Sequence, residues 1–424
     1  MLRLEHLNWD EGHHLHPDER FISMVEENLA FPKSPAAYLD SKHSTLNPYN
    51  RGYNSFVYGT LPMLVTKVFA AALRHEGYDG AYLVGRALSA IFDLLSVWLV
   101  YLLARRFVDR RAALAAAALI AFCPLGIQLS HFWAVDTYLA AFTTAALLGS
   151  VRLARGKSGP IGDAATGIAV GLAVGCKVTA LALFAPVGIA LLVRLAAERR
   201  AASAGFGRVL ARVAGRGVLF FVACAVTIRL ALPYAFLGWR LDPRYLNDMR
   251  SLALLSSSVA GFPPALQWAG RTILFPLRNF VLWGAAPFFG LTALAAVVFA
   301  ALAVRRRERW ALAPLLVYVL FIGLYHGTAL VKSVRYFYPA YPALAALCGL
   351  LLAWLWSRPP RQRVLRALPA VVLAGSFLAA IAFTSIYRRP HTRLEASRWI
   401  FAHVATPARF GNEAWDDGLP IPMP

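Results

Sequence analysis

Two adjacent carboxylates, Asp18 and Glu19, follow three histidines, His13, His14 and His16, in the polar run that begins at Asp10. A carboxylate held at a membrane interface can take the proton from an attacking hydroxyl, and its neighbour can orient the acceptor or the base. The same residues admit two other uses. Asp18 can simply cap the helix that follows. Three imidazoles among several carboxylates are also the donor types of a divalent-metal site, although their spacing matches no specific motif. Phe21, Met24, Val25 and Leu29 recur at helical spacing with Glu26 and Glu27 opposite, which predicts a short amphipathic helix on the membrane surface.

Further ionisable residues, Arg86, His131, Asp136, Lys332 and Arg335, fall at or near the ends of long apolar blocks, and Lys177 falls in the middle of one. Charge at membrane depth is costly unless paired or hydrated, so such residues are functional candidates. Arg86, Lys332 and Arg335 could equally be cations snorkelling at helix ends. Asp93 and Arg229 lie deeper and read as a structural pair or as local polar contacts. The carboxylates Asp18, Glu19 and Asp136 with the cations Arg86, Lys177 and Arg335 suit a reaction that needs a general base and a neutralised phosphate leaving group.

The elements that must position these residues are membrane helices. Of 424 residues, 58% are hydrophobic and 15% charged, far from the roughly 25% charged of a soluble domain. Apolar blocks of about 20 residues, enough to cross ~30 Å of hydrocarbon, occur near 84–104, 112–130, 135–153, 217–237, 280–304, 310–331, 336–357 and 367–387. A ninth, 164–193, is too long for one straight span and carries Lys177 at its centre.

Five short loops, at 105–111, 152–163, 194–216, 305–309 and 358–366, hold about half of the chain's 43 Lys and Arg but only Asp109, Asp163, Glu198 and Glu308 of its 22 acids. They share one side only if 164–193 crosses twice. Ten spans result. That side is then cytoplasmic, and residues 1–83, 131–136, Lys177, 238–279, 332–335 and the tail after Tyr387 face outward. The net charge of +21 therefore reads as a topology signal and not as a nucleic-acid surface. The four cysteines lie within apolar blocks, without metal-ligand spacing or a disulfide pattern.

With these residues in view, the chain resembles the GT-C glycosyltransferases that use a lipid-phosphate sugar, the group of the protein O-mannosyltransferases and the aminoarabinose transferase of lipid A. His16-Pro17-Asp18-Glu19-Arg20-Phe21 is similar to their Asp-Glu motif in the first outer loop, and Tyr58-Gly59-Thr60-Leu61-Pro62 to the Pro-containing segment after it. Gly85-Arg86-Ala87-Leu88-Ser89 resembles the start of their second span. Val135-Asp136-Thr137-Tyr138, Gly175-Cys176-Lys177-Val178-Thr179 and the Arg-Tyr-Pro segment Arg335–Pro342 follow in the same order. The family has a span ahead of its Asp-Glu loop and a soluble domain after its last spans. Residues 1–83 are thus expected to follow an upstream span, and the tail with Trp399 and Asn412–Asp417 to begin such a domain.

The expectation is an all-α, polytopic GT-C-like bundle with about ten spans. Residues 1–83 form an extracytoplasmic loop with juxtamembrane helices, 84–387 the transmembrane domain and 388–424 the start of an outer segment. The resemblance implies a glycosyltransferase of the cytoplasmic membrane with an outward-facing site. It would move a sugar from a polyprenyl phosphate to a hydroxyl of a lipid, glycan or protein, with inversion. Asp18 and Glu19 are the expected catalytic pair, and Tyr58, Arg86, His131, Asp136, Lys177 and Arg335 the expected substrate contacts. No cofactor is required, and a divalent metal at His13, His14 and His16 stays open. The competing reading is a transporter or flippase for a lipid-linked or anionic substrate, whose marks are midplane charges and an internal repeat. A non-catalytic scaffold would leave each outer charge replaceable.

Overall fold

The computed structural model describes residues 2–201, 205–257, 261, 263–412 and 417–423. The tail positions 413–416 fall outside the described residues. The first polar segment carries α1 (Pro17–Glu27), α2 (Pro35–Leu39) and α3 (Thr60–Leu73). The first half of the bundle follows: α4 (Tyr78–Ala104), α5 (Arg110–Ala121), α6 (Pro124–Ser130), α7 (Asp136–Ala154), α8 (Pro160–Cys176), α9 (Phe184–Ala201) and α10 (Phe206–Ala231). A second polar segment holds a two-residue antiparallel ribbon, β1 (Phe236–Leu237) and β2 (Arg240–Leu241), with Phe236 opposite Leu241. The short helices α11 (Pro243–Leu255), α12 (Pro263–Leu266) and α13 (Leu274–Asn279) complete it. The chain returns through α14 (Ala286–Ala303), α15 (Ala313–Thr328), α16 (Tyr341–Trp356) and α17 (Arg363–Thr384), and ends on α18 (Thr392–His403).

Eight helices among the described residues are long and apolar enough to span a membrane. The pair α5 and α6 makes a ninth, bent by 57°. Pro124 causes the break: it has no N–H to donate, and its ring excludes the residues before it from a continuous helix. Two shorter apolar helices, α3 and the 17-residue α8, about 25 Å long, come in addition, so about ten spans is an approximate count. The helices turn Leu192, Val218, Val298, Leu320 and Leu378 outward, as contact with lipid requires, while backbone polar groups are satisfied within each helix.

The long block does break at Lys177, whose backbone is extended (φ −160°, ψ 132°). Gly156, just before α8, abuts the Arg194 side chain near the end of α9, so both ends of the block lie at one end of the bundle. Its first arm packs against α7 and α10. Gly167, Gly171 and Gly175 let the α10 backbone approach so closely that a Cβ at Gly167 would sit 2.3 Å from the Phe220 carbonyl oxygen. At the arginine-rich end, Phe107, Leu153, Ala190 and Ala311 form a small core, Arg111 lies over Trp356, and Arg200 lies over Trp310.

Two sequence expectations change. Arg208, Arg212 and Arg216, read as loop, lie on the first turns of α10, where Arg216 pairs with Asp163 and Arg212 with Glu198. The apolar face of α1 is also rotated: Met24 is exposed, whereas Glu26 is buried against the Lys67 ammonium at 3.0 Å. A partner on α3 thus overrides the hydrophobic periodicity.

The hairpin makes a topological prediction. Single cysteines replacing Lys177, Arg200 or Arg307 in a Cys-free background should react with a membrane-impermeant thiol reagent on intact cells only at position 177. Labelling at 200 would overturn the two-span hairpin.

Candidate active site

Helix α1 begins where His16 serves as N-cap, its Nδ1 accepting the Glu19 amide hydrogen at 3.2 Å, and Pro17 takes the first helical position. His16 and not Asp18 is therefore the cap. Successive residues of a helix point about 100° apart, so Asp18 and Glu19 cannot serve one place. Glu19 turns into the protein, fully buried. Its oxygens receive Arg86 Nε at 2.9 Å, Arg86 Nη2 at 2.5 Å and the Trp133 amide at 2.7 Å. Arg86 also donates to both oxygens of Asp10 and to the Leu7 carbonyl, with Trp9 and Tyr82 against its faces.

Asp18 faces the other way. Its carboxylate lies 2.6 Å from Arg335 Nη1 and beside the Tyr58 hydroxyl, and it remains 22% exposed. Burial opposes its ionisation, but the Arg335 guanidinium outweighs this and, with His16 and Tyr58, holds the carboxyl below the usual aspartate range. Arg335 lies 5.5 Å from the centre of the Tyr336 ring, and Lys177 Nζ lies 4.3 Å from the same centre. The two cations therefore flank one aromatic ring. Asp136, in the first turn of α7, is buried with Oδ1 lacking a hydrogen-bond partner, and its charge acts on Arg335 and His16.

Backbone contacts bring these parts together. The Gly59 amide donates to the Cys176 carbonyl at 3.1 Å, fastening the Tyr58 strand to the Lys177 tip. A Cβ at Gly59 would fall 2.2 Å from the Gly175 carbonyl oxygen, so only glycine permits this approach. Thr60 donates to the Ala231 carbonyl at the end of α10. An apolar groove of about 500 Å³ runs between α14 and α15, with Phe280, Val297, Leu320, Leu324, Leu344 and Phe337, two residues along the chain from Arg335, on its walls.

Asp18, Tyr58, Asp136, Lys177 and Arg335 thus meet. Glu19 and Arg86 form a separate buried clamp beneath them. His131 is apart, its ring nitrogens within 2.7 and 2.9 Å of the Ile127 and Glu5 carbonyl oxygens and its ring stacked on Tyr387. The three histidines do not converge: His16 stacks on Phe132 and His14 packs between Tyr78 and Tyr82. Among the described residues no group of three His, Cys, Asp or Glu could hold a metal ion. Asp93 and Arg229 are not a pair. Asp93 binds Arg3 and the Tyr338 hydroxyl, and Arg229 binds the Leu39 and Gly238 carbonyls. Tyr336 and His326, which lies 5.5 Å from Tyr336 between ring centres, were not expected at the site. Adjacency to Arg335 was the available signal for Tyr336, and a lone histidine in an apolar span was that for His326.

A family model described as dolichyl-phosphate-mannose-protein mannosyltransferase matches residues 69–227. Comparison with curated protein sequences gave no match. Among solved structures, the oligosaccharyltransferase AglB of Archaeoglobus fulgidus, in complex with an inhibitory peptide and a dolichol-phosphate, aligns over 92% of this chain and 54% of its own at 14% identity, with a TM-score of 0.54. ArnT of Cupriavidus metallidurans, bound to undecaprenyl phosphate, aligns over 91% and 71% at 18% identity, with a TM-score of 0.54. The chain spans little more than half of the archaeal enzyme's length. The fold is that of the GT-C membrane glycosyltransferases.

Two outcomes follow from this geometry. Replacing Arg86 with Met leaves Asp10 and Glu19 buried without their cation, a loss of about 3–5 kcal/mol, and should lower the melting temperature markedly; adding Glu19→Gln should recover part of it. Burial lowers the His16 pKa to about 4 from 6.5. The folded state therefore binds fewer protons than the unfolded one across that window, and the stability tied to neutral His16 is present above pH 6.5 and lost as pH falls toward 4. Asn caps helices well and does not titrate, so His16→Asn should lose less melting temperature than the natural protein between pH 7 and 5. Equal losses would exclude His16 as the titrating group.

Proposed function

We propose that the protein is an integral-membrane glycosyltransferase that moves a sugar from a polyprenyl phosphate to an acceptor hydroxyl on the extracytoplasmic face of the cytoplasmic membrane. Residues 1–83 carry the base, 84–387 the membrane domain and 388–424 an outer segment. The observation that carries this reading is the Asp18–Arg335 ion pair, whose guanidinium shares the Tyr336 ring with the Lys177 ammonium. A polyprenyl chain suits the groove, and its phosphate the two cations around Tyr336. The solved relatives bind dolichol-phosphate and undecaprenyl phosphate, which is consistent with that class of donor.

The chemistry follows from the charges. Donor phosphate entering between Lys177 and Arg335 competes with Asp18 for the guanidinium, and as Arg335 shifts toward phosphate the carboxylate regains basicity. Asp18 then accepts the proton of the acceptor hydroxyl while the acceptor oxygen bonds to the anomeric carbon. The bond from that carbon to the phosphate oxygen breaks, and the electron pair leaves on the lipid phosphate, neutralised by Lys177 and Arg335. A single displacement of this kind inverts the anomeric centre. Glu19 serves from behind, fixing α1 through Arg86.

The test is Asp18→Asn in membranes supplied with lipid-linked sugar. General-base catalysis contributes about 10²–10⁴-fold, so turnover should fall within that range in protein that is still folded at the assay temperature, whereas Glu27→Gln, exposed on the same helix, should change little. Lys177→Met and Arg335→Gln should weaken donor binding. Saturable transport of a substrate with no glycosylated product would replace this reading with the transporter.

A further inference from the structure

The end of the bundle opposite Asp18 has a second pocket. It encloses about 810 Å³ between the ends of α14 and α16 and the turn before α5. Its walls divide sharply by chemistry. Phe299, Leu302, Leu350 and Trp354 make an apolar cleft that faces the bilayer, and Arg111, Arg306 and Arg309 stand at its mouth. The three guanidiniums are exposed and form no ion pair with any described residue. Asp109 also lines the pocket, but its Oδ1 is engaged in capping α5 by accepting the Ala112 amide hydrogen. Arg111 is steadied by the Trp356 ring at 4.3 Å.

We infer that this pocket binds an anionic glycerophospholipid, its phosphate among Arg111, Arg306 and Arg309 and its acyl chains in the cleft between α14 and α16. Three observations select that occupant. Three cations share the pocket with one carboxylate, Asp109, and pair with no described residue, so the excess positive charge calls for an anion. The cleft beside them is apolar, so the anion must carry hydrocarbon. The pocket lies at the arginine-rich end of the spans, at the level of the anionic headgroups of the cytoplasmic leaflet. A soluble phosphate would leave the cleft unfilled, and a zwitterionic lipid would bring a cation toward the arginines. The site is remote from Asp18 and does not depend on the proposed reaction.

The full chain in a neutral detergent would be examined by native mass spectrometry with phosphatidylglycerol, with phosphatidylcholine and with millimolar inorganic phosphate as competitor. Each arginine near an anionic lipid is worth about fivefold in affinity. The double variant Arg306→Gln/Arg309→Gln should therefore lose on the order of 25-fold in phosphatidylglycerol retention. Arg361→Gln/Arg363→Gln, two exposed cations outside the pocket, should change it little. Leu302→Trp, which fills the cleft and removes no charge, should also weaken retention. Equal retention of phosphatidylcholine, displacement by inorganic phosphate, or an equal loss in Arg361→Gln/Arg363→Gln would each overturn the assignment. Melting curves of every variant separate a lost lipid from a lost fold.

Discussion

One fully buried guanidinium organises the membrane-facing half of this protein. Arg86 sits within α4, where an unpaired cation would be untenable, and its donors reach Glu19, Asp10 and a backbone carbonyl from a polar segment that could otherwise drift. The pairing ties the first turn of α1 to a transmembrane helix. Trp133 adds its amide to the same carboxylate, which draws the turn between α6 and α7 into the clamp. Because Asp18 is the next residue on α1, holding Glu19 sets where Asp18 points. A pairing required by low dielectric thus becomes the device that aims the proposed base.

The second constraint is a close approach of backbones. The apolar block around Lys177 cannot cross as one helix, and its break leaves the Cys176 carbonyl without a helical partner. The Gly59 amide supplies one. That hydrogen bond joins Tyr58 to the Lys177 tip, while Tyr336 under Lys177 joins the tip to Arg335. The two cations and one carboxylate of the candidate site, from three distant parts of the chain, are therefore held by contacts that depend on a missing Cβ and on one aromatic face.

Much of this was legible in the sequence because membranes impose simple rules. The length of 164–193 and the arginine loops together required a hairpin, and the hairpin required Lys177 to lie on the side of Asp18. What could not be read was direction around a helix. Asp18 and Glu19 look alike in sequence, and only the position of Arg86 shows that one is clamped and the other open. Glu26 looked like a solvent-facing residue because Lys67, its partner on α3, lies 41 residues away. The histidine cluster suggested a shared ligand, yet His14 and His16 are drawn apart by different aromatic partners, an arrangement with no one-dimensional signature.

The pairing of Asp18 with Arg335 carries a further consequence. Under the proposed reaction, an ion pair between the base and a phosphate-binding cation makes each unavailable while the other is idle. Arg335 lowers the proton affinity of Asp18, so the carboxylate is a weak base until the guanidinium has something better to bind. In the proposed reaction a phosphate brought beside Lys177 offers two or more acceptor oxygens against the carboxylate's one close contact, and its arrival leaves Asp18 without its cation. Under that proposal activation of the acceptor is tied to the presence of the donor. The clamp at Arg86 makes this exchange local, because α1 is fixed from its other face and Asp18 need not move when Arg335 does.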